Sequence, residues 1–203
     1  MPQIPESDSY QTIAAPASAI YKEKGSKFFS FARPVSTEEE IKAHLSEIKK
    51  EYFDATHHCY AYRLGVDGST WRVNDDGEPS SSAGKPILGQ LLSCQVTDTL
   101  IVVVRYFGGI KLGVSGLVNA YRQAAANVLS QSDIITKYAT ENATLTFPYP
   151  QMNAVMKLLK NFPVQITNQQ SDQECQLSFS VRRNLFPHIS QQLIQIDHLY
   201  ITA

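Results

Sequence analysis

Side chains able to do chemistry gather in three stretches of this 203-residue sequence. The first is His57-His58-Cys59, which at strand spacing puts His57 and Cys59 on one face and His58 on the other. Imidazole and thiol are bases, nucleophiles and metal ligands. A metal site needs three or four convergent ligands, however, and the triplet supplies no spaced partners, so no metal is assigned. The second stretch runs Asp75-Asp76-Gly77-Glu78-Pro79-Ser80-Ser81-Ser82-Ala83-Gly84-Lys85-Pro86. Its Gly84-Lys85 pair is not a Walker motif, because the earlier glycine would fall at Pro79 and the Ser or Thr after the lysine is Pro86. What remains is a row of hydroxyls, a glycine and a lysine ahead of a helix. In that setting Ser81, Ser82, Gly84 and Lys85 bind an anion through free N–H groups and the helix dipole. The carboxylates upstream, Asp75, Asp76 and Glu78, could instead hold a divalent ion or act as acid and base beside His57 and His58.

The third stretch is Arg105-Tyr106-Phe107-Gly108-Gly109-Ile110-Lys111-Leu112-Gly113-Val114-Ser115-Gly116. A strand ends in an arginine and two aromatics, then passes through glycines to a helix start. This is a second anion cradle, built from Arg105, Gly108, Gly109, Lys111 and Ser115. It lacks the GxGxxG spacing and downstream acid of a dinucleotide site, and no cofactor is assigned. Tyr106 and Phe107 could stack on bases, although at a strand end at least one of them is expected in the core.

The elements that must position these groups follow from apolar periodicity. Ala17 to Glu23 and Lys27 to Ala32 flank Lys24-Gly25 and read as a hairpin. A Ser-x-x-Glu pattern, Ser36 and Glu39, precedes Ile41, Leu45, Ile48 and Tyr52 at helical spacing. His44 in that helix has charged neighbours and no second ligand one turn away, and reads as solvated. His57 to Leu64 and Thr70 to Val73 are strands, and Asn74 to Pro86 is a loop. Pro86 to Leu92 is helical, with Pro86 in the first turn. Thr99 to Val104 is a β-branched run typical of a strand covered on both faces, and a helix spans about Ser115 to Leu129. Beyond Ile135 the order is strand, helix, strand, strand, helix, strand, the split βαβ or ferredoxin-like pattern. Cys175 sits in an alternating apolar row there and reads as a buried structural thiol. The expected fold class is α+β, with domains at 1–137 and 138–203.

Eighteen basic and nineteen acidic residues give a net charge of −1, which excludes a polybasic protein held to nucleic acid by bulk charge. Fourteen of the cations and fifteen of the acids lie in the first 137 residues, so opposed local patches remain available there. Three scattered cysteines without a CxxC pair fit neither a disulfide framework nor a structural zinc site, and point to a reducing cytoplasm. The acidic N-terminus (Glu6, Asp8) is unlike a signal peptide, and the longest aliphatic run, Leu100 to Val104, is too short to span a bilayer. No membrane association is expected.

The segments HHCYAYRLG (57–65), DDGEPSSSAGKPIL (75–88) and VVVRYFGGIKLGVSGLVNAYRQA (102–124), in this order and spacing, closely resemble the YigZ/IMPACT family. The resemblance implies a first domain similar to the second domain of a small-subunit ribosomal protein. It also implies a tail similar to the ferredoxin-like C-terminal domains of translational GTPases. Eukaryotic IMPACT resembles a translational regulator that binds a ribosome-associated activator of a starvation-responsive kinase and thereby restrains that kinase, and it carries an additional N-terminal interaction domain that this sequence is expected to lack. That partner does not transfer. The implied role is non-catalytic regulation of translation, with RNA, the ribosome or a translation-associated protein as partner. Lys85, Arg105, Lys111 and Arg122 are the candidates for a basic face. The alternative is a hydrolase or phosphate-ester enzyme using His57, His58, Asp75, Asp76, Glu78 and Lys85, provided that these side chains converge. A third reading is a protein-interaction scaffold using the tail sheet's face or edge. The oligomeric state is left open.

Overall fold

The structure, a computed structural model, describes residues 8–172 and 174–202, so Glu6 lies outside the described residues. Packing divides the chain into two compact units, one of Tyr10–Lys137 and one of residues 138–202 with Asp8 and Ser9.

In the first unit, β1 (Ser9–Ile13) leads to β2 (Ala17–Glu23) and β3 (Ser26–Pro34). The last two pair antiparallel around Lys24 and Gly25, whose φ angles of 45° and 82° make the mirror-image two-residue turn that matches strand twist. The helix α1 (Glu38–Glu51) follows. Its capping box is one residue later than the Ser36/Glu39 pattern predicts. Thr37 Oγ1 accepts from the Glu40 N–H at 3.2 Å, and Glu40 Oε2 accepts from the Ser36 N–H at 2.6 Å. Two overlapping pairs, Ser36/Glu39 and Thr37/Glu40, satisfy the same motif, and the pair that leaves Ile41 and Ile48 buried prevails. Next come β4 (His57–Leu64), β5 (Thr70–Asn74), α2 (Gly84–Ser93), β6 (Thr99–Tyr106), α3 (Gly113–Ser130) and β7 (Ile134–Tyr138).

Five strands form an antiparallel sheet in the order β2-β3-β6-β4-β5, and β1 pairs with β7 in a separate two-stranded sheet. The central strand β6 is buried from Thr99 to Arg105, as its unbroken β-branched run requires. Its alternate residues feed two cores. Ile101 and Val103 join Phe28, Cys59 and Ala61 under α2 and α3, while Leu100, Val102 and Val104 join Phe31, Tyr62 and Ile48 under α1. Arg105 and His57 are register partners, so both lie on the α2/α3 face.

The second unit runs β8 (Thr140–Pro148), α4 (Met152–Leu159), β9 (Gln165–Ser171), β10 (Glu174–Arg182), α5 (Phe186–Leu193) and β11 (Tyr200–Thr202). The sheet order is β11-β8-β10-β9, antiparallel throughout. Leu145, Phe147, Leu177 and Phe179 pack against Val155, Leu159, Ile189 and Leu193, with Cys175 fully buried among them.

Asp8 is buried at the start of β1 and accepts from the Arg182 guanidinium at 2.6 Å and from the Asn184 N–H at 3.3 Å. The Arg182 hydrogen bond holds the Asp8 carboxyl below its ordinary pKa of 3.8. A depressed carboxyl contributes stability above the unfolded-state pKa and loses it as the pH falls through the folded value. Asp8→Asn is therefore expected to speed hydrogen exchange of the Asn184 amide at pH 6. The difference from wild type should close as the pH drops below the ordinary aspartate range, and a difference constant with pH would contradict the assignment.

Candidate functional site

The loop between β5 and α2 organises the site. Asn74 Oδ1 accepts from the Asp76 N–H at 2.7 Å, and Asp76 and Gly77 take consecutive left-handed conformations (φ 40° and 88°). The φ of Gly77 is what calls for glycine, since a Cβ there would meet the His57 ring only at ordinary contact distance, 3.4 Å. This reversal turns Glu78 inward, where its side chain is 4% exposed.

Glu78 Oε1 accepts from Arg105 at 2.6 Å and from the Tyr121 hydroxyl at 2.7 Å, while His57 Nε2 lies 3.8 Å away. His57 Nδ1 is 2.8 Å from the Asp76 carbonyl. A carbonyl only accepts, so Nδ1 carries the proton and Nε2 faces Glu78. The Cys59 thiol donates to the Asp75 carbonyl at 3.0 Å and lies 3.3 Å from the Tyr121 oxygen. Burial pushes the pKa values of both Cys59 and Tyr121 up, so neither is an anionic nucleophile at neutral pH. The Arg105 guanidinium carbon is 5.5 Å from the Phe28 ring centroid and 5.7 Å from that of Phe107.

The five acid-base candidates split into two pairs and a lone carboxylate, the second pair being His58 Nδ1 and Asp76 Oδ2 at 3.6 Å. His57 and Glu78 meet beneath a cleft. His58 turns to the α1 face, where its Nε2–H donates to the Tyr52 carbonyl at 3.0 Å. Asp76 is adjacent to His57 through its backbone, but its carboxylate accepts from the His58 N–H at 2.7 Å and stands 3.6 Å from Lys49. Asp75 accepts from the N–H groups of Ser81, Ala83 and Gly84 at 2.8, 3.0 and 2.8 Å. Three carboxylates within four residues thus point three ways. Among the described residues no group of three or more His, Cys, Asp or Glu converges on a metal position.

The first anticipated anion cradle is corrected by the same contacts. Its N–H groups are taken by the chain's own Asp75, Ser82 is buried with its hydroxyl on the Pro79 carbonyl at 2.6 Å, and Lys85 is exposed outside the cluster. Gly84 serves packing, since a Cβ there would stand 2.9 Å from Val73.

The second cradle is only partly built as expected. Arg105 is 5% exposed and ion-paired, so it does not join Lys85, Lys111 and Arg122 in a solvated basic face. Tyr106 donates to Asp54 at 2.6 Å. Gly108 packs backbone to backbone against the β2–β3 turn, where any side chain would overlap the Gly25 carbonyl. Gly109, Lys111 and Ser115 remain open to solvent or nearly so. Between the β6–α3 loop, the start of β4 and the Glu78–Pro79 turn lies a cleft of about 480 Å³, walled by Phe107, Lys111, Leu112, Val114 and Leu117 over Arg105.

Tyr121 and Ser26, which donates no chemistry of its own but meets the Arg105 guanidinium at 3.4 Å, were not singled out by sequence reasoning. The signal for Tyr121 was a tyrosine on the buried stripe of α3, whose hydroxyl requires a polar partner.

The Impact N-terminal domain family model matches residues 24–129. The IMPACT family member YvyE of Bacillus subtilis is 42% identical over 112 residues, 55% of this chain and 52% of that protein, so the match spans about half of that relative's length. The IMPACT family member YigZ of Escherichia coli is 36% identical over 163 residues, 79% of this chain and 80% of that protein. A crystal structure described as a hypothetical protein superposes with a TM-score of 0.76 at 32% identity, covering 98% of both chains.

Proposed function

We propose, for a chain that belongs to the IMPACT family, a non-catalytic role in the regulation of translation, exerted by docking a translation-associated protein at the cleft beside the β6–α3 loop. The resemblance to eukaryotic IMPACT supports the setting in translation. The tail's element order and its β11-β8-β10-β9 sheet support reading it as ferredoxin-like, and the family resemblance supports reading the first unit as similar to the ribosomal-protein domain.

The observation that carries the docking role is the character of the cleft rim. Phe107 and Val114 line the opening at 49% and 57% exposed, and Ile110, in the same β6–α3 loop, is 57% exposed, exposed apolar side chains of the kind that mark interaction sites. Withdrawal of Arg105 into an ion pair leaves few solvated cations there, which favours a protein over a phosphodiester backbone. Binding is favoured over catalysis because Glu78, the one acid lining the cleft among the described residues, is engaged by Arg105 and Tyr121.

The test is sucrose-gradient sedimentation of a cell extract containing the tagged full chain. Wild type is expected to travel with ribosomal fractions and to stay there in high salt. The double substitution Phe107→Ser with Ile110→Ser should lower recovery at least about tenfold, the scale of losing an interface anchor. Absence from those fractions, or equal recovery of the variant, would overturn the reading. Loss that steepens with salt and follows nuclease treatment would assign the contact to RNA instead.

A further inference from the structure

We propose that an aromatic recess between the β2–β3 turn and the α1–β4 loop receives an arginine side chain of the docked protein. The inference rests on the docking role proposed above and names the group on the partner that is read. The recess is separate from the cleft over Arg105 but shares a wall with it, because Phe107 lines both. It measures about 400 Å³ and is lined by Phe29, Tyr52, Tyr106 and Phe107, with Asp54 and Lys27 as its charged residues.

Aromatic rings and a carboxylate around one opening are the components of a cation site, since the negative face of a ring attracts a cation within about 6 Å of its centroid. Phe29 lies 5.7 Å from Tyr52 at 37° and 5.8 Å from Tyr106 at 79°, so neither pair is stacked face to face. All three rings are half-buried, held by the core side of the sheet yet reachable from the recess. The Tyr106 hydroxyl donates to Asp54 Oδ1 at 2.6 Å and fixes the carboxylate beside the rings. That bond pushes the Tyr106 pKa up to about 12, so the phenol stays a donor at neutral pH. Asp54 itself is exposed, and among the described residues its Oδ2 has neither a hydrogen-bond nor an ion-pair partner.

The second unit shows what such a set takes in this molecule. There the Arg182 guanidinium lies 3.6 Å from the Tyr138 ring centroid and donates to both oxygens of Asp8, at 2.6 and 3.2 Å. In the recess a tyrosine and an aspartate are again paired, and no guanidinium of the described residues reaches that aspartate. A guanidinium suits the site better than a compact ammonium, because its plane rests on a ring while its edge N–H groups donate to the carboxylate. Lys27 is exposed at the rim and makes no ion pair with Asp54 among the described residues. An anionic occupant would need Lys27 and oppose Asp54, whereas an arginine needs Asp54 and gains nothing from Lys27.

The test is NMR of the aromatic rings of the ¹³C-labelled full chain, titrated with Nα-acetyl-arginine methylamide, its citrulline and lysine counterparts, and adenosine monophosphate. The arginine derivative is expected to shift the Phe29, Tyr52 and Tyr106 ring signals. It should bind at least about tenfold more tightly than the citrulline derivative, which has the same shape without the charge. Asp54→Asn should weaken arginine binding at least about tenfold with the remaining spectrum retained, and should lower recovery of the chain with ribosomal fractions. Lys27→Met should leave arginine binding undiminished. Equal binding of arginine and citrulline, a lysine derivative as tight as arginine, or no shift with any probe would overturn the proposal. So would tighter binding of adenosine monophosphate, a loss of affinity in Lys27→Met, or equal recovery of Asp54→Asn. If any of these occurs while Phe107→Ser with Ile110→Ser still lowers recovery with ribosomal fractions, arginine recognition falls and docking stands. If that double variant also sediments as wild type does, both fall.

Discussion

Glu78→Ala is expected to lower the unfolding free energy of the first unit by about 3–5 kcal/mol, the range for leaving a buried charge without its partner. The cost arises because Arg105, 7% exposed in its side chain, loses its ion pair at 2.6 Å. The Tyr121 hydroxyl loses its acceptor in the same step. Glu78→Gln keeps an acceptor for Tyr121 and should fall between wild type and alanine. Combining Glu78→Leu with Arg105→Met removes both charges and should restore most of the loss, since replacing a whole buried pair by apolar groups is often neutral. Trp71, the chain's one tryptophan, lies in β5 of the same unit, so its fluorescence in urea reports these differences. An alanine variant within about 1 kcal/mol of wild type would show that the pair is not closed in solution, because removal of one buried partner normally costs several times that.

Asp75→Ala should cost about 3 kcal/mol, as three N–H donors around buried backbone lose a charged acceptor together. The same change removes the anion from the α2 N-terminus, and Asp75→Asn, which retains an amide oxygen, should cost roughly half as much. The effect is local at first. Hydrogen exchange of the Ala83 and Gly84 amides should quicken before Trp71 fluorescence changes in rising urea. Unchanged protection of those two amides would refute the capping role.

These two carboxylates mark the limit of what could be read from sequence. Alternation and apolar runs made the strands of the five- and four-stranded sheets legible, and the β-branched run ending at Arg105 correctly implied a strand buried on both faces. The tail's β-α-β-β-α-β order was legible for the same reason. The pairing of β1 with β7 was not, because it joins short segments more than 120 residues apart with no local pattern to announce it. Nor was the fate of the acidic loop. Asp75, Asp76 and Glu78 look alike in sequence, but consecutive left-handed residues at 76 and 77 send them to a helix end, to His58 and Lys49, and to Arg105. Residue type pointed to free N–H groups at the start of α2, but not to the chain's own Asp75 carboxylate that takes those of Ala83 and Gly84.

The most direct test of the docking account is site-specific photo-crosslinking from two exposed apolar positions of the first unit, Val114 at the cleft and Leu92 on α2, which are 57% and 52% exposed. A photoreactive residue at 114 is expected to yield a discrete polypeptide adduct in ribosomal fractions, and the same residue at 92 none. Equal adducts from both positions, or adducts from 114 to RNA alone, would contradict docking of a protein at this cleft.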